Sequence, residues 1–169
     1  MMYSGNWKNW VAEIDEKTCR DCKEKHGKIY ATDEIVKPEP PLHPFCRCRI
    51  ELLLSVEAGS LTPYGTAGAD WFIKYLQQLP DNYLTIYDAE ALGWERKKGN
   101  LTEVAPGCQI FGGVYENRNG HLPQKEGRTW YEADLNYTGG YRSSERLVFS
   151  NDGLVFVTYD HYETYVEVD

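Results

Sequence analysis

Four ionisable side chains in the C-terminal part of the chain are of the types that acid–base chemistry on an anionic substrate requires. Glu132 lies in a segment of alternating side chains, Arg142 and Arg146 follow it, and His161 comes after the last strongly apolar run. A carboxylate and an imidazole can take and give protons, while two guanidiniums hold the anion. On neighbouring strands, these groups would suit cleavage of a phosphodiester without a metal ion.

The elements that must position these groups are short strands preceded by short helices. Residues 127–137 alternate with a period of two, which predicts a strand with a charged face and an apolar face. Asp152-Gly153 between two apolar runs predicts a hairpin. The remaining predicted elements are helices at 70–78 and 88–93, turns at Gly107 and at Gly112-Gly113, and a last strand within 162–168. Helices followed by an antiparallel sheet predict an α+β domain.

Four of the five cysteines lie near the N-terminus, together with one histidine at a spacing typical of metal sites. The candidate ligands are Cys19, Cys22, His43, Cys46 and Cys48. Two residues between cysteines let one turn direct both sulfurs at one zinc ion. We favour Cys19, Cys22 and Cys46, with His43 or Cys48 as the fourth ligand. The alternative is a pair of disulfides or reduced thiols.

The composition excludes some functional classes. The chain has 169 residues, 41% of them hydrophobic, and a net charge of −8. Most of the acidic excess lies in residues 69–169, with 16 acidic against 9 basic residues, which argues against tight non-specific binding of nucleic acid. No apolar run is long enough to span a membrane, and no secretory signal is visible at the N-terminus, so we expect neither a membrane partner nor an export signal in this chain.

Composition also predicts the division of the chain. Residues 55–68 are rich in Gly, Ser, Thr and Pro without a sustained period, which is typical of a connector. We therefore expect a small cysteine-rich module at 1–54, a flexible linker at 55–68 and a second domain at 69–169.

Several sequence blocks in the second domain resemble the barnase-type bacterial ribonucleases in one continuous order. The resemblance extends over about residues 69–168 and is carried by residues 79–83, 91–94, 98–101, 104–107, 127–130, 136–138 and 160–162. It implies N-terminal helices packed on an antiparallel β-sheet, with the active site on the open face of that sheet.

The resemblance also implies residue roles. Glu132 would be the general base that takes the proton of a ribose 2′-hydroxyl, and His161 the general acid for the departing 5′-oxygen. Arg142 and Arg146 would neutralise the phosphoryl oxygens, with Asp134 holding both guanidiniums. The substrate-binding positions would be Arg118, Asn117, Asn119 and Tyr162. No catalytic cofactor is implied.

Two positions depart from the family pattern. Ile86 stands where the family has an active-site lysine, so one cation is lost unless Lys97 or Lys98 replaces it. Asn119 stands where the family has a glutamate that reads guanine, and an amide reproduces only part of that hydrogen-bonding pattern. These departures predict a slower enzyme and leave the guanine preference open.

The cysteine-rich module resembles the C-terminal end of phage head morphogenesis (minor head) proteins. The resemblance is carried by Asp15, Thr18-Cys19, Cys22, Gly27 and the run from Pro41 to Cys48. It implies a structural metal module, with zinc contributing to folding and phage head or portal proteins as partners.

Together the two resemblances imply a phage-associated endoribonuclease toxin that acts on RNA. By analogy it would reside in a phage particle or be delivered into the cytoplasm of a target cell, and a barstar-like immunity protein would neutralise it. One alternative is a non-catalytic, zinc-stabilised virion protein with a decayed nuclease domain. Another is a zinc-dependent nuclease, which would need an open coordination position.

Overall fold

The computed structural model describes residues 2–169, which form one sheet of nine strands and four short α-helices. The strands are β1 (Met2–Val11), β2 (Ile29–Ala31), β3 (Arg49–Val56), β4 (Tyr83–Thr85), β5 (Gln109–Tyr115), β6 (Trp130–Asp134), β7 (Arg146–Ser150), β8 (Val155–Thr158) and β9 (Val166–Val168). The helices are α1 (Arg20–Lys25), α2 (Ala69–Leu76), α3 (Ile86–Ala91) and α4 (Leu101–Val104). The predicted α+β class is confirmed.

The sheet is mixed rather than wholly antiparallel. Its strand order is β2-β1-β3-β9-β8-β7-β6-β5-β4, and the pairs β4–β5 and β3–β9 are parallel. The predicted antiparallel arrangement is correct from β5 to β9. It is wrong for β4, because the chain passes through α3 and α4 before β5, and such a crossover brings a strand back parallel.

The cysteine-rich region and the second region join through strand pairing. Ser55 of β3 pairs with Glu167 of β9, and Val56 pairs with Val168. The ladder continues beyond β3, since the amide of Ala58 donates to Asp169 O at 2.8 Å. Ser55 and Val56, which the composition assigned to the connector, thus lie in a strand because β9 offers them backbone partners.

The rest of the connector is tied down by one buried carboxylate. Asp70 is fully buried at the start of α2 and accepts hydrogen bonds from the amides of Gly59 at 2.6 Å and Leu61 at 3.1 Å. A side chain can satisfy backbone donors of an irregular segment in this way. The segment between β3 and α2 is therefore held against the helix.

One hydrophobic cluster crosses the boundary between the two regions. Ile29 and Leu53 of the cysteine-rich region pack with residues of the second region; these are Leu122, Trp130, Val148, Phe156 and Tyr165. Full burial of an aliphatic side chain contributes about 1.5–3 kcal/mol. The two regions therefore stabilise each other.

The other face of the sheet is covered by α2. Ile73 packs on Leu135, Leu147, Val155 and Val157, as its helical spacing from Ala69 permits.

The predicted hairpin is confirmed: β7 and β8 flank the turn at Asn151–Gly153, where Gly153 has a φ of 94°. No helix in residues 2–169 has the length and apolar character needed to cross a membrane.

Candidate active site

A β-bulge in β5 makes room for the Glu132 side chain on the sheet. The register between β5 and β6 shifts between Phe111 and Gly113, where Gly113 has a φ of 83°. A Cβ atom on Gly112 would lie 2.0 Å from Oε1 of Glu132. The two glycines, expected to form a turn before the sheet, instead lie inside β5 and let the carboxylate cross its backbone.

Two arginines lie beside this carboxylate and are held by Asp134, as the resemblance implied. Arg142 donates to Asp134 from Nε at 3.0 Å and from Nη2 at 2.7 Å. Arg146, which pairs with Asp134 in the β6–β7 register, places Nε 3.2 Å from Asp134 Oδ1. Charge-assisted contacts of this kind fix the guanidinium planes.

Burial and the neighbouring carboxylates act in opposite directions on the two arginines. Burial opposes the charge of Arg142, but its hydrogen bonds with Asp134 outweigh that effect and raise its pKa. Burial lowers the pKa of Arg146, and nearby Arg142 adds to this while Asp134 opposes it. Because an arginine in a protein stays protonated, two positive charges face Glu132.

Two atoms of the cluster take part in ion pairs but make no well-formed hydrogen bond. Oε2 of Glu132 and Nε of Arg146 are buried and make no hydrogen bond within residues 2–169, although they lie 3.4 Å apart. Buried polar atoms without a partner are rare in folded proteins. A phosphate with an adjacent hydroxyl would supply both the acceptor and the donor that these atoms lack.

The predicted acid, His161, lies in a strained turn directly after β8. His161 and Tyr162 have φ values of 56° and 72°, which non-glycine residues seldom adopt. Asp160 holds the turn by accepting from Thr158 Oγ1 at 3.0 Å and from the amide of Thr164 at 2.9 Å. The turn leaves His161 exposed at the edge of the cluster.

Tyr162, in the same turn, contacts the end of β5, and the loop after β5 lies beside it. The Tyr162 ring stacks on Tyr115 at a centroid distance of 4.4 Å. Arg118 is exposed and donates to Glu116 at 2.8 Å. The Arg118 side chain therefore lies at the surface, on the same side of the sheet as Glu132 and the two arginines.

The two asparagines of this loop are occupied by other parts of the protein. Asn117 is buried and exchanges hydrogen bonds with the backbone of Leu122 at 3.0 and 3.1 Å. Asn119 donates to Tyr162 O at 2.9 Å and accepts from the amide of His121 at 3.1 Å. Both side chains shape the loop, and their contribution to substrate binding stays a prediction.

An open cleft of about 530 Å³ brings most of the predicted residues together. Its lining includes Glu132, Arg142, Arg146, His161, Arg118, Asn119 and Tyr162. Asn117 is buried within the loop and does not line the cleft. The sequence did not single out Arg96, which also lines the cleft with its guanidinium 5.9 Å from the Trp94 ring.

Position 86, where the family has a lysine and this chain has Ile86, does not contribute a cation to the cleft. Ile86 packs in the apolar cluster around Trp94, and Lys98, a predicted replacement, forms an ion pair with Glu95. Arg96, rather than Lys97 or Lys98, lines the cleft. Only its position beside these lysines in the sequence could have indicated it.

The candidate metal ligands also come together. Their donor atoms form two triangles, Cys19–Cys22–His43 and Cys22–Cys46–Cys48, with the atoms of each within 4.8 Å of one another. Nδ1 of His43 lies 2.9 Å from Pro44 O, which leaves Nε2 facing Cys19 at 3.2 Å. These five residues can hold a metal ion around the shared Cys22.

The thiols of this cluster differ in their readiness to ionise. Burial raises the pKa of Cys22 and of Cys48. At Cys46 burial is outweighed by hydrogen bonds from the backbone and from the neighbouring thiols, which lower the pKa to about 7. A buried thiolate at Cys22 would need a bound cation for stability.

Comparisons with known proteins match both regions. Residues 73–169 match the family model described as ribonuclease, and residues 2–51 match the model of Phage Mu protein F like proteins. A ribonuclease of Heyndrickxia coagulans is 54% identical over 100 residues, which are 59% of this chain and 91% of the relative. Ribonucleases of Bacillus intermedius and Bacillus pumilus are equally similar over 100 residues, and the chain covers 61% of each.

These matches confirm both resemblances recognised from the sequence. The ribonuclease model covers more than half of the chain and includes every residue of the cleft. The chain therefore belongs to the ribonuclease family.

Proposed function

We propose that this protein is an endoribonuclease that works by acid–base catalysis and needs no metal in the reaction. The observation that carries the proposal is the cleft in which Glu132, Arg142, Arg146 and His161 meet, with the buried Oε2 of Glu132 and Nε of Arg146 lacking partners within residues 2–169. Family membership supports RNA as the substrate.

In this mechanism, Glu132 takes the proton of the ribose 2′-hydroxyl, whose oxygen then bonds to the adjacent phosphorus. The bond from phosphorus to the 5′-oxygen breaks, and His161 gives that oxygen a proton. Arg142 and Arg146 stabilise the charge on the phosphoryl oxygens. The product is a 2′,3′-cyclic phosphate, which water opens in the reverse proton sequence.

The test is cleavage of RNA in excess EDTA, with the zinc content of the protein measured before and after. Glu132→Gln and His161→Gln should each reduce kcat/KM by about 10²–10⁴-fold, the usual contribution of one proton-transfer group. Glu126→Gln, at an exposed position outside the cleft, is the matched control. The cyclic phosphate should accumulate before hydrolysis.

Absence of cleavage by a folded parent protein would contradict the proposal and favour the non-catalytic virion protein. Activity that returns only when a divalent metal is added would favour the zinc-dependent nuclease. Equal activity of the parent and Glu132→Gln would remove Glu132 as the base.

We also propose a weak preference for guanine. Asn119, at the position of the guanine-reading glutamate, uses its amide for contacts to Tyr162 and His121. Cleavage rates after each of the four bases would test this proposal, with Asn119→Glu expected to increase the share of cuts after guanine. A parent that cuts after guanine alone would contradict it.

For the N-terminal cluster we propose structural Zn²⁺ held by Cys19, Cys22, His43 and Cys46. The Sγ atoms of Cys22 and Cys46 are 3.7 Å apart, close to the edge of about 3.8 Å expected for a tetrahedron with 2.3 Å Zn–S bonds. Cys46 ionises more readily than Cys48, which packs with Trp10. We expect about one Zn²⁺ per chain in the parent protein. This content should fall in Cys46→Ser and be retained in Cys48→Ser. The reverse result would exchange the two ligands.

We infer further, by analogy, a toxin carried by a phage-related particle, delivered to a target cytoplasm and neutralised by a barstar-like inhibitor. The match of residues 2–51 to a phage protein family supports the particle. The exposed arginines of the cleft suit an acidic inhibitor. A candidate inhibitor that left cleavage unchanged after mixing would contradict this role.

A further inference from the structure

His121 is a buried titratable residue that the proposed mechanism does not use. It lies in the loop between β5 and β6, and only 2% of its surface is exposed. Nδ1 lies 2.8 Å from Glu163 O, and Nε2 lies 2.9 Å from Glu24 O. Carbonyl oxygens only accept hydrogen bonds, so each ring nitrogen can donate in its contact when it carries a proton.

These two carbonyl oxygens belong to functionally different parts of the molecule. Glu24 is in the last turn of α1, where helix carbonyls lack partners within the helix. Glu163 is in the turn that contains His161 and Tyr162. The ring of His121 thus connects the helix that carries Cys22 to the turn that presents the catalytic acid.

Other contacts converge on the same place. The amide of Ile29 donates to His121 O at 2.8 Å, and Asn119 links the loop to Tyr162 O. Gly27, with a φ of 91°, lies so close to the turn that a Cβ atom there would be 2.1 Å from Glu163 O. The cysteine-rich region therefore contacts the catalytic turn both directly and through His121.

We propose that His121 is a positioning residue through which the cysteine-rich region sets the placement of His161 and Tyr162. The inference rests on the proposed ribonuclease function for its effect on activity. His161 has a left-handed backbone that the surrounding contacts must hold in place. Loss of those contacts moves the acid away from the departing oxygen.

The experiment uses three substitutions in the full chain. His121→Phe keeps the ring volume and loses both bonds, while His121→Asn and His121→Gln each place one amide nitrogen near the position of Nδ1 or of Nε2. His121→Phe should lower kcat by about 10- to 100-fold with a smaller change in KM, since catalysis is sensitive to misplacement of about 1 Å. The two amide variants should fall between His121→Phe and the parent.

Hydrogen exchange supplies a readout that does not depend on activity. The amides of His161 and Tyr162, bonded to Ser144 O and Thr158 Oγ1, should exchange faster in His121→Phe while those of β7 are unchanged. Gly27→Ala should reproduce the effect from the side of the cysteine-rich region. Gly107→Ala, where φ is 76° and a Cβ meets nothing within 4 Å, is the matched control.

Unchanged kcat and unchanged hydrogen exchange in His121→Phe would overturn the inference. If the parent itself fails to cleave RNA, the proposed function fails, and the exchange data alone decide the role of His121.

Discussion

At the scale of single residues, the site depends on a glycine that leaves space for a side chain and on an arginine that adds a positive charge. Glu132 crosses the backbone of Gly112, and Arg96 adds a cation at the rim of the cleft. Neither glycine nor an exposed arginine has a recognisable functional pattern in the sequence. Both matter here through their position relative to Glu132 and the two arginines.

Gly112→Ala should displace the carboxylate of Glu132, the proposed general base. The added Cβ would overlap Oε1 and Cδ of Glu132, and this side chain can move away at little cost in stability. We expect kcat/KM to fall by about 10²-fold or more, as for loss of a general base. Enzyme assays and urea unfolding would check this, with Gly5→Ala as control; parental activity would show that Glu132 need not lie across Gly112.

Arg96→Ala should weaken the enzyme in a salt-dependent manner. Arg96 lines the cleft, whereas Lys98 is paired with Glu95. We expect kcat/KM to fall by roughly 3- to 10-fold at low ionic strength, with a smaller effect at high salt because solvent ions screen exposed charges. Lys98→Ala is the control, and a larger loss in Lys98→Ala than in Arg96→Ala would contradict this assignment.

At the scale of elements, the turn after β8 combines backbone strain with a carboxylate that compensates for it. Burial disfavours the charge of Asp160, but hydrogen bonds from Thr164 and Thr158 outweigh burial and lower its pKa. A carboxyl group with a lowered pKa stabilises the folded state above its ordinary pKa of about 3.9. That stabilisation is lost as the pH falls through the lower folded value.

The stability of the parent relative to Asp160→Asn should therefore depend on pH. The variant keeps the shape of the side chain but cannot ionise, so the parent should be more stable near neutral pH and lose that advantage below about pH 4. Urea unfolding of both proteins between pH 2 and 7 measures the difference. A difference that stays constant over this range would show that ionised Asp160 does not hold the turn.

At the scale of the whole molecule, the two regions share a sheet and a core. The β3–β9 ladder and the packing of Ile29 and Leu53 join the cysteine-rich region to the second region, beside a smaller cluster of Trp10, Tyr30 and Val36 within the cysteine-rich region itself. The sequence predicts two domains with a flexible linker, which would unfold independently. The structure instead leads us to expect one cooperative unfolding transition.

Leu53→Ala should test this cooperativity. Leu53 is 2% exposed, so its truncation should lower the free energy of unfolding by about 2–5 kcal/mol. Leu52→Ala, at a position that is 50% exposed, should change it by about 0.5 kcal/mol or less. Thiol reactivity of the cysteine cluster and circular dichroism should report the same transition midpoint; separate midpoints would support two domains.

The sequence alone predicted the groups to which we assign the chemistry and most of the local elements that carry them. The alternation around Glu132, the Asp152-Gly153 turn and the cysteine spacing are all local patterns. Each depends on residues close together in the chain, so the sequence was enough to predict them. The order of the family blocks identified Glu132, Arg142, Arg146 and His161 as one set.

Only the tertiary structure decided how distant segments meet. The parallel β3–β9 pairing, the bulge at Gly112 and the two contacts of His121 join residues far apart in the chain. A backbone amide or a lone histidine has many possible partners, and its sequence context does not select among them. The packing of the whole chain makes that selection, and it placed the cysteine-rich region against the catalytic turn.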